Sequence, residues 1–300
     1  MSRPQRALIT GVRGFTGRYL SRELQEHGYD VFGLGNSGSD EAGYFRVDLD
    51  DPAALRAAID QVRPDLVFHL AALAFVAHGN PDDFYQVNVV GTRHLLDAIH
   101  ASAHRPVKVL VASSANIYGN SSASVLAEET PPAPSNDYAV SKLAMEYMAW
   151  LWSDRLPITV VRPFNYTGVG QDENFLLPKI VSHFRKRAAY IELGNIDVSR
   201  DFSDVRTFVQ LYRRLAESSD AVGGTFNFSS GKSHSLQEVI AMCESLTGHS
   251  MEIRINPAFV RPNEVKTLRG DNSRLRSVLG TWNEIELRDT LAWMLDAGQG

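Results

Sequence analysis

The stretch "SSANIYG", residues 113–119, ends an apolar run, "VKVLVAS", that reads as a buried strand, and sets Ser114, Ala115 and Asn116 where the strand should stop. Farther along, "NDYAVSKLAMEY" places Tyr138 and Lys142 four residues apart, on one face of a helix. An ammonium beside a phenol favours phenolate and lowers its pKa, so Tyr138 can exchange a proton near neutral pH. Lys142 can also bind a cofactor ribose. Near the N-terminus, "ITGVRGFTGRYL" places Gly11, Gly14 and Gly17 between a strand and a helix. The spacing is GxxGxxG rather than the GxGxxG of the dinucleotide fingerprint, but the physical need is similar. Glycine permits a tight turn and lets backbone N–H groups approach a pyrophosphate, whose charge a helix N-terminus favours. The glycine loop and the serine ending an earlier parallel strand set this Tyr–Lys pair apart from a chance spacing on a helix surface.

The cofactor is read from the end of the second strand, where NAD sites carry Asp or Glu for the ribose 2′-OH. Here the residues are Leu34, Gly35, Asn36 and Ser37, and no carboxylate stands there to repel a 2′-phosphate. Arg13 in the glycine loop can pair with that phosphate, with Asn36 and Ser37 as further donors. The expectation is NADP(H), with NAD(H) less favoured. A solvated surface charge is the other reading of Arg13.

Positioning these groups requires a scaffold, and the chain supplies one. "RALIT", "DVFGL", "DLVFHLAA", "VKVLVASS" and "ITVVRP" alternate with helical stretches at Phe15–Glu26, in "AALRAAIDQV", at Phe84–Ala103 and at Asp137–Trp152. Strict alternation of apolar strands with helices predicts an α/β fold with a doubly wound parallel sheet covered on both faces. After Pro163 the loops lengthen, a helix is expected near Pro178–Arg187, "GTFNFSSG" reads as a strand returning to the first layer, and "SLQE" reads as a capping box. The expected division is 1–163, with return segments near 198–230, for the cofactor domain, and 164–197 with 231–300 for a smaller, interleaved C-terminal substrate lobe.

Composition narrows the function classes. The 300 residues are 44% hydrophobic with a net charge of −5 and one cysteine, Cys243. Neither a nucleic-acid nor a membrane partner is suggested, and a disulfide framework is excluded. Cys243 reads as packing in a helix. With no membrane-length apolar run or signal-like start, the expected location is cytoplasmic. No His, Asp and Glu group has metal-ligand spacing, so no metal is expected. His69 reads as a hydrogen-bonded core histidine, and His78, beyond the same strand end, as a residue with a conceivable substrate role.

Taken in order, "TGVRGFTG", "VDLDD", "VFHLAAL", "NVVGT", "SSANIYG", "YAVSK", "RPFN", "RDFSDV" and "RPNEVKTLRGD" resemble the extended short-chain dehydrogenase/reductases acting on nucleotide sugars, from Ala7 to about Leu295. The resemblance implies a Rossmann-type domain. It implies Ser114, Tyr138 and Lys142 as the catalytic set, and adds Phe15, Asp48, Leu49, Leu70, Ala71, Ala72 and Asn88 to the glycine-loop residues as cofactor contacts. In the related 4,6-dehydratases the two positions after the serine are usually Asp and Glu, and GDP-fucose synthases carry a cysteine where this chain has Asn116. Neither Ala115 nor Asn116 can shuttle a proton, so dehydration and epimerisation before reduction are disfavoured.

"LGNIDVSRDFSDV" and "RPNEVKTLRGD" resemble the GDP-hexose branch, and "RPFNYTGVGQ" its GDP-6-deoxy-4-keto-mannose reductases, which make GDP-D-rhamnose in deoxysugar and lipopolysaccharide biosynthesis. The resemblance implies substrate contacts from Ser114, Asn116 and Asn165, with Arg200 and Arg261 on the diphosphate and Glu264 on the nucleotide ribose. Leu73 and Ala74 replace polar residues of relatives, and Thr207 replaces an aspartate. The reading is an NADPH-dependent 4-ketoreductase on a GDP-linked 4-keto-6-deoxyhexose. Alternatives are a GDP-6-deoxy-D-talose-forming reductase, an epimerase retaining NAD(H), and a non-catalytic dinucleotide sensor. The Asp137–Trp152 helix is apolar almost all round, with Met145, Met148, Trp150 and Trp152. With Phe84–Ala103 it is the expected homodimer face, and packing against the second lobe is the other reading.

Overall fold

The computed structural model describes residues 3–38, 41–74, 80–260 and 266–297. The first half of the chain runs β1 (Arg6–Thr10), α1 (Phe15–Glu26), β2 (Asp30–Gly35), β3 (Tyr44–Arg46), α2 (Pro52–Val62), β4 (Leu66–His69), α3 (Asp82–Tyr85), α4 (Thr92–Ala101), β5 (Lys108–Ala112), α5 (Asp137–Trp150) and β6 (Ile158–Pro163). Then follow β7 (Asn165–Thr167), α6 (Leu176–Arg185), β8 (Tyr190–Leu193), β9 (Ser199–Asp204), α7 (Val205–Glu217), β10 (Thr225–Phe228), β11 (Ser233–Ser235), α8 (Leu236–Thr247), β12 (Glu252–Ile255), β13 (Thr267–Leu268), α9 (Ser273–Leu279) and α10 (Leu287–Asp296).

Seven strands form one sheet in the order β10-β6-β5-β4-β1-β2-β3, and every neighbouring pair is parallel. Strands such as β4 and β5 are apolar along their length because both faces are covered. One core lies between the sheet and α2, α4 and α5, the other between the sheet and α1, α7 and α9. The chain winds outward in both directions from β1 and β4, so the crevice at their carboxyl ends is the switch point where such sheets bind ligands.

The second half builds its own core, with Leu177, Phe184, Ile191, Val239, Cys243 and Leu291 among its residues. Of the stretch near 198–230, α7 and β10 join the main layer. β9 instead forms a small separate sheet with β7, β11 and β13. The expected helix Phe84–Ala103 is interrupted by a π-helical segment, Gln86–Gly91, between α3 and α4. Local chemistry sets several helix starts. Asp51 caps α2 ahead of Pro52, Asn136 caps α5 through Ala139 N, and Ser235 with Glu238 forms the expected capping box of α8. Among the described residues no helix is long and apolar enough to cross a membrane.

Candidate active site

A cavity of about 670 Å³ opens at the carboxyl ends of β1, β4, β5 and β6 and extends to β7 and the start of α6, a size suited to a small-molecule site. Its floor is the glycine loop. Gly11 has φ +71°, and a Cβ there would stand 3.0 Å from the Ala71 backbone. A Cβ on Gly17 would come within 2.3 Å of the Gly11 carbonyl oxygen. These two positions allow the loop to lie flat under α1, whose first turn has no side-chain cap. The free N–H groups around Phe15 and Thr16 therefore face the cavity, where a diphosphate fits. Nothing larger than hydrogen fills the cradle, so the residues present fit a dinucleotide.

Ser114, Tyr138 and Lys142, the three residues expected to do the chemistry, all line the same cavity. Ser114 follows β5 and caps a short 3₁₀ turn, Ala115–Tyr118. Its Oγ accepts hydrogen bonds from Asn116 N (3.1 Å) and Asn116 Nδ2 (3.0 Å) and shares one with Tyr138. Tyr138 is nearly buried, its ring edge-on to Phe84. Lys142, also buried, donates from Nζ to the Ala112 carbonyl at 2.7 Å.

The electrostatics correct one expectation. Burial pushes the Tyr138 phenol up to about 12 rather than down, with the Ser114 hydrogen bond opposing and nearby Tyr166 adding to the rise. Burial likewise brings the Lys142 ammonium down to about 8, opposed by Glu146. Lys142 spends its hydrogen bond on backbone in this structure, and desolvation is the largest influence on Tyr138. Tyr138 is therefore a neutral phenol at physiological pH, which is the form a proton donor needs.

Gly11, Gly14, Phe15, Gly17, Leu70, Ala72, Asn116 and Asn165 line the cavity as expected residues of the site, together with the triplet. Ala71 supports it from behind, its N–H donating to Thr10 Oγ1. Arg200 lies two residues from Phe202 on β9 and opposite Leu268; Phe202 and Leu268 line the cavity, and Arg200 donates to the Ser199 and Lys266 carbonyls. Arg261, Glu264 and His78 lie outside the described residues.

Other expected contacts stand apart from the cavity wall. Asn88 is wholly buried and gives its amide to the Leu73 backbone and Ser141 Oγ. It holds the β4 loop against α5, so its action on a cofactor runs through its neighbours. Asp48 and Leu49 sit in the turn after β3, where Asp48 Oδ1 accepts from Asp50 N and the Leu49 carbonyl meets His94 Nδ1.

Arg13 reaches the second strand end. Its guanidinium lies 3.7 Å over the Tyr44 ring and donates to the Ser37 carbonyl, so Asn36, Ser37 and Arg13 share one corner. A second correction arises here. The exposed Glu41, ahead of β3, lies 3.4 Å from Arg13, so a carboxylate does stand near this corner. Reading only the strand end missed it, because Glu41 comes six positions after Gly35.

His69 is buried between Thr10 Oγ1 (2.7 Å) and Thr92 Oγ1 (2.8 Å) and burial pushes it down to about 3, as a core histidine. Cys243 is buried packing. Thr207 is also buried, its hydroxyl without a hydrogen-bond partner among the described residues, in keeping with a packing role.

Sequence reasoning did not find Thr16, Arg18, Tyr166, Gln171 or Tyr212 in this cavity. Thr16 Oγ1 and Tyr166 OH lie 2.6 Å apart, joining the phosphate loop to β7. Arg18 donates to the Gly170 carbonyl across the same seam. The position of Arg18 beside Gly17 was the one available signal; Tyr212 enters from α7 with none.

The sequence profile of GDP-mannose 4,6 dehydratase matches residues 8–294. The chain belongs to that family. It is an NAD(P)-dependent oxidoreductase with the Rossmann-type short-chain dehydrogenase/reductase fold. Over 276 residues it is 38% identical to the GDP-6-deoxy-D-talose 4-dehydrogenase of Aggregatibacter actinomycetemcomitans, covering 91% of this chain and 90% of that one. Over 302 residues it is 32% identical to the GDP-6-deoxy-D-mannose reductase of Pseudomonas aeruginosa, covering 97% and 96%. Among solved structures, a Burkholderia cenocepacia protein provisionally named an epimerase is 51% identical with TM-score 0.92, covering 99% of both chains. The family takes its name from a dehydration, yet at the two positions that serve it this member has Ala115, buried, and Asn116, whose amide is spent on Ser114.

Proposed function

We propose that the protein is an NADPH-dependent 4-ketoreductase that converts GDP-4-keto-6-deoxy-D-mannose to GDP-D-rhamnose. The observation that carries the reading is the Ser114–Tyr138–Lys142 set in one cavity, with Ala115 and Asn116, neither able to act as acid or base, at the two positions after the serine. The glycine loop, Arg13 and Lys142 would hold NADPH, which would supply a hydride for C4 of the sugar. Ser114, its oxygen already accepting from Asn116, directs its own proton at the C4 oxygen and polarises the carbonyl. Tyr138 gives its proton to the oxygen as charge develops there. Lys142, still charged at neutral pH, steadies the resulting phenolate and holds the cofactor ribose. Support for NADPH comes from Arg13 and from a relative, RMD from Pseudomonas aeruginosa, whose structure was solved with NADPH (30% identical, TM-score 0.84, 97% and 98% coverage). The 2′-phosphate would displace Glu41 from Arg13, exchanging one anion for another.

A talose-type product is the second reading, favoured by the 38% identity to the talose dehydrogenase. An epimerase retaining NAD(H) is the third, favoured by the name of the Burkholderia structure. In this proposal residues 1–163, with α7 and β10, hold the cofactor; 164–197 and 231–300 hold the sugar nucleotide, with Asn165, Arg200, Arg261 and Glu264 on its polar groups. Two chains pair through α5 and the α3–α4 rod. The test is oxidation of NADPH, and separately NADH, by the purified protein with GDP-4-keto-6-deoxy-D-mannose. One equivalent of NADPH consumed per sugar supports the reductase, and Tyr138→Phe then loses at least about 100-fold in turnover. A large H3–H4 coupling in the product gives rhamnose and a small one 6-deoxytalose. An unchanged cofactor and keto-sugar would overturn the reading.

A further inference from the structure

We propose that the buried Glu146–Arg162 ion pair is the positioning device that keeps Lys142 charged, so that Glu146 governs the alkaline limb of turnover. The link to turnover rests on the ketoreductase reading above; the link to Lys142 does not.

Tyr138, Lys142 and Glu146 recur every four residues and so share one face of α5. Glu146 is 3% exposed and Arg162, on β6, 8%. Arg162 Nε donates to both carboxylate oxygens (3.0 and 3.2 Å) and Nη2 to Oε2 (2.7 Å). Its Nη1 is fixed in turn by Tyr118 OH (2.9 Å) and the Glu128 carbonyl (2.8 Å), and Tyr118 donates to Asn227 Oδ1. The carboxylate is thereby locked one turn from the lysine. Such a pair costs desolvation that an apolar pair would avoid, so its place beside the active lysine calls for a role beyond cohesion.

Among the described residues the hydrogen-bond partners of Lys142 are uncharged, the Ala112 carbonyl and the Met145 sulfur at 3.9 Å. Burial draws its ammonium down to about 8, and Glu146 opposes that fall. The groups facing this pair are few among the described residues. β4 presents His69, held neutral by burial; α5 itself presents Tyr138; β6 presents Arg162, with Tyr118 of the 3₁₀ turn and Glu128 behind it. The π-helical segment presents Asn88, uncharged, and Tyr85 of α3 meets Asp137 at the outer end of the helix. Glu146 is thus the anion in a position to hold the lysine's proton. A lysine that loses its charge also leaves the Tyr138 phenolate unsupported, so turnover falls as pH rises through the lysine's pKa.

The experiment follows the Lys142 Nζ resonance by NMR through a pH titration of ¹⁵N-lysine-labelled protein, assigned by its loss in Lys142→Met. Glu146→Gln removes the charge but strands Arg162 in the core. Glu146→Met/Arg162→Met therefore removes both charges with unbranched apolar replacements, the kind of exchange buried pairs tolerate. In both variants the Lys142 transition is expected to fall by about one pH unit or more, and the alkaline limb of kcat/KM with it. Glu146→Asp, which keeps the charge, is expected to return both toward the wild type. An unchanged Lys142 transition in a folded variant overturns the proposal. A lysine that moves while the limb stays overturns the link to turnover. Absence of turnover in the wild type would sink the ketoreductase reading instead, leaving the titration to decide the role of Glu146.

Discussion

Ser114 Oγ is fully subscribed. Asn116 offers it two N–H donors and Tyr138 a third group, while a hydroxyl oxygen accepts two hydrogen bonds and donates one. With both acceptor sites taken by Asn116, the serine proton must point at Tyr138 or into the cavity, where a carbonyl would receive it. Asn116→Asp replaces the side-chain donor with an acceptor that draws the serine proton toward itself. We expect kcat to fall about tenfold or more, in line with losing one donor to a developing oxyanion. Asn116→Ala keeps the backbone donor and should lose only a few-fold. Steady-state kinetics at pH 7 decides this, and an Asp variant as fast as the wild type would refute the arrangement. The residue types of this site were legible in the sequence because Ser114, Tyr138, Lys142 and the glycines occur in short local motifs. What was not legible was direction. Which way Ser114 donates, which side of Arg13 meets Glu41, and whether burial or the lysine wins at Tyr138 depend on three-dimensional packing that local spacing does not carry.

Among the elements, β4 shows how a polar residue is made to serve a core. His69 ends the strand and is held between threonines of β1 and α4. Burial, with Lys142 adding to it, lowers its pKa from 6.5 to about 3. The folded state therefore binds fewer protons than the unfolded chain below pH 6.5. Stability is fully present above that pH and is lost as pH falls toward 3. The slope is about 1.4 kcal/mol per pH unit, or about 2 kcal/mol by pH 5. Urea unfolding at pH 7 and pH 5 checks this, with His69→Gln as the reference; the variant should be less stable at pH 7 but lose this component of the pH dependence. An equal loss in both would exclude His69 as the source. The strand–helix alternation of the first half was readable because period and apolar runs are local. The π-helical segment was not, since one extra residue in a turn leaves the apolar pattern nearly intact while turning Asn88 into the core. Nor was the departure of β9 to the small sheet, because a short strand carries no mark of its partner.

For the whole molecule, the expected apolar excess of α5 resolves into two sets of residues. Met145 is in the core, and Met148, Trp150 and Trp152 pack against it, so these four are satisfied within one chain. The helix nevertheless leaves Val140, Tyr147 and, at its C-terminal end, Leu151 exposed, at 38%, 65% and 76%. At about 100° per residue they lie together, on the face opposite Tyr138, Lys142 and Glu146. Pairing through this face would cover the stripe and brace the helix that carries Tyr138 and Lys142, which in the proposed mechanism ties oligomeric state to the precision of the site. Charges placed in the stripe test this without touching the core. Tyr147→Glu/Leu151→Glu should convert a wild-type particle of two chains to one of a single chain, measured by light scattering after gel filtration at micromolar concentration. Turnover should fall with dissociation and recover as protein concentration is raised if residual pairing persists. Wild-type protein that runs as a single chain across that range would leave α5 as a solvent-facing helix and remove the coupling.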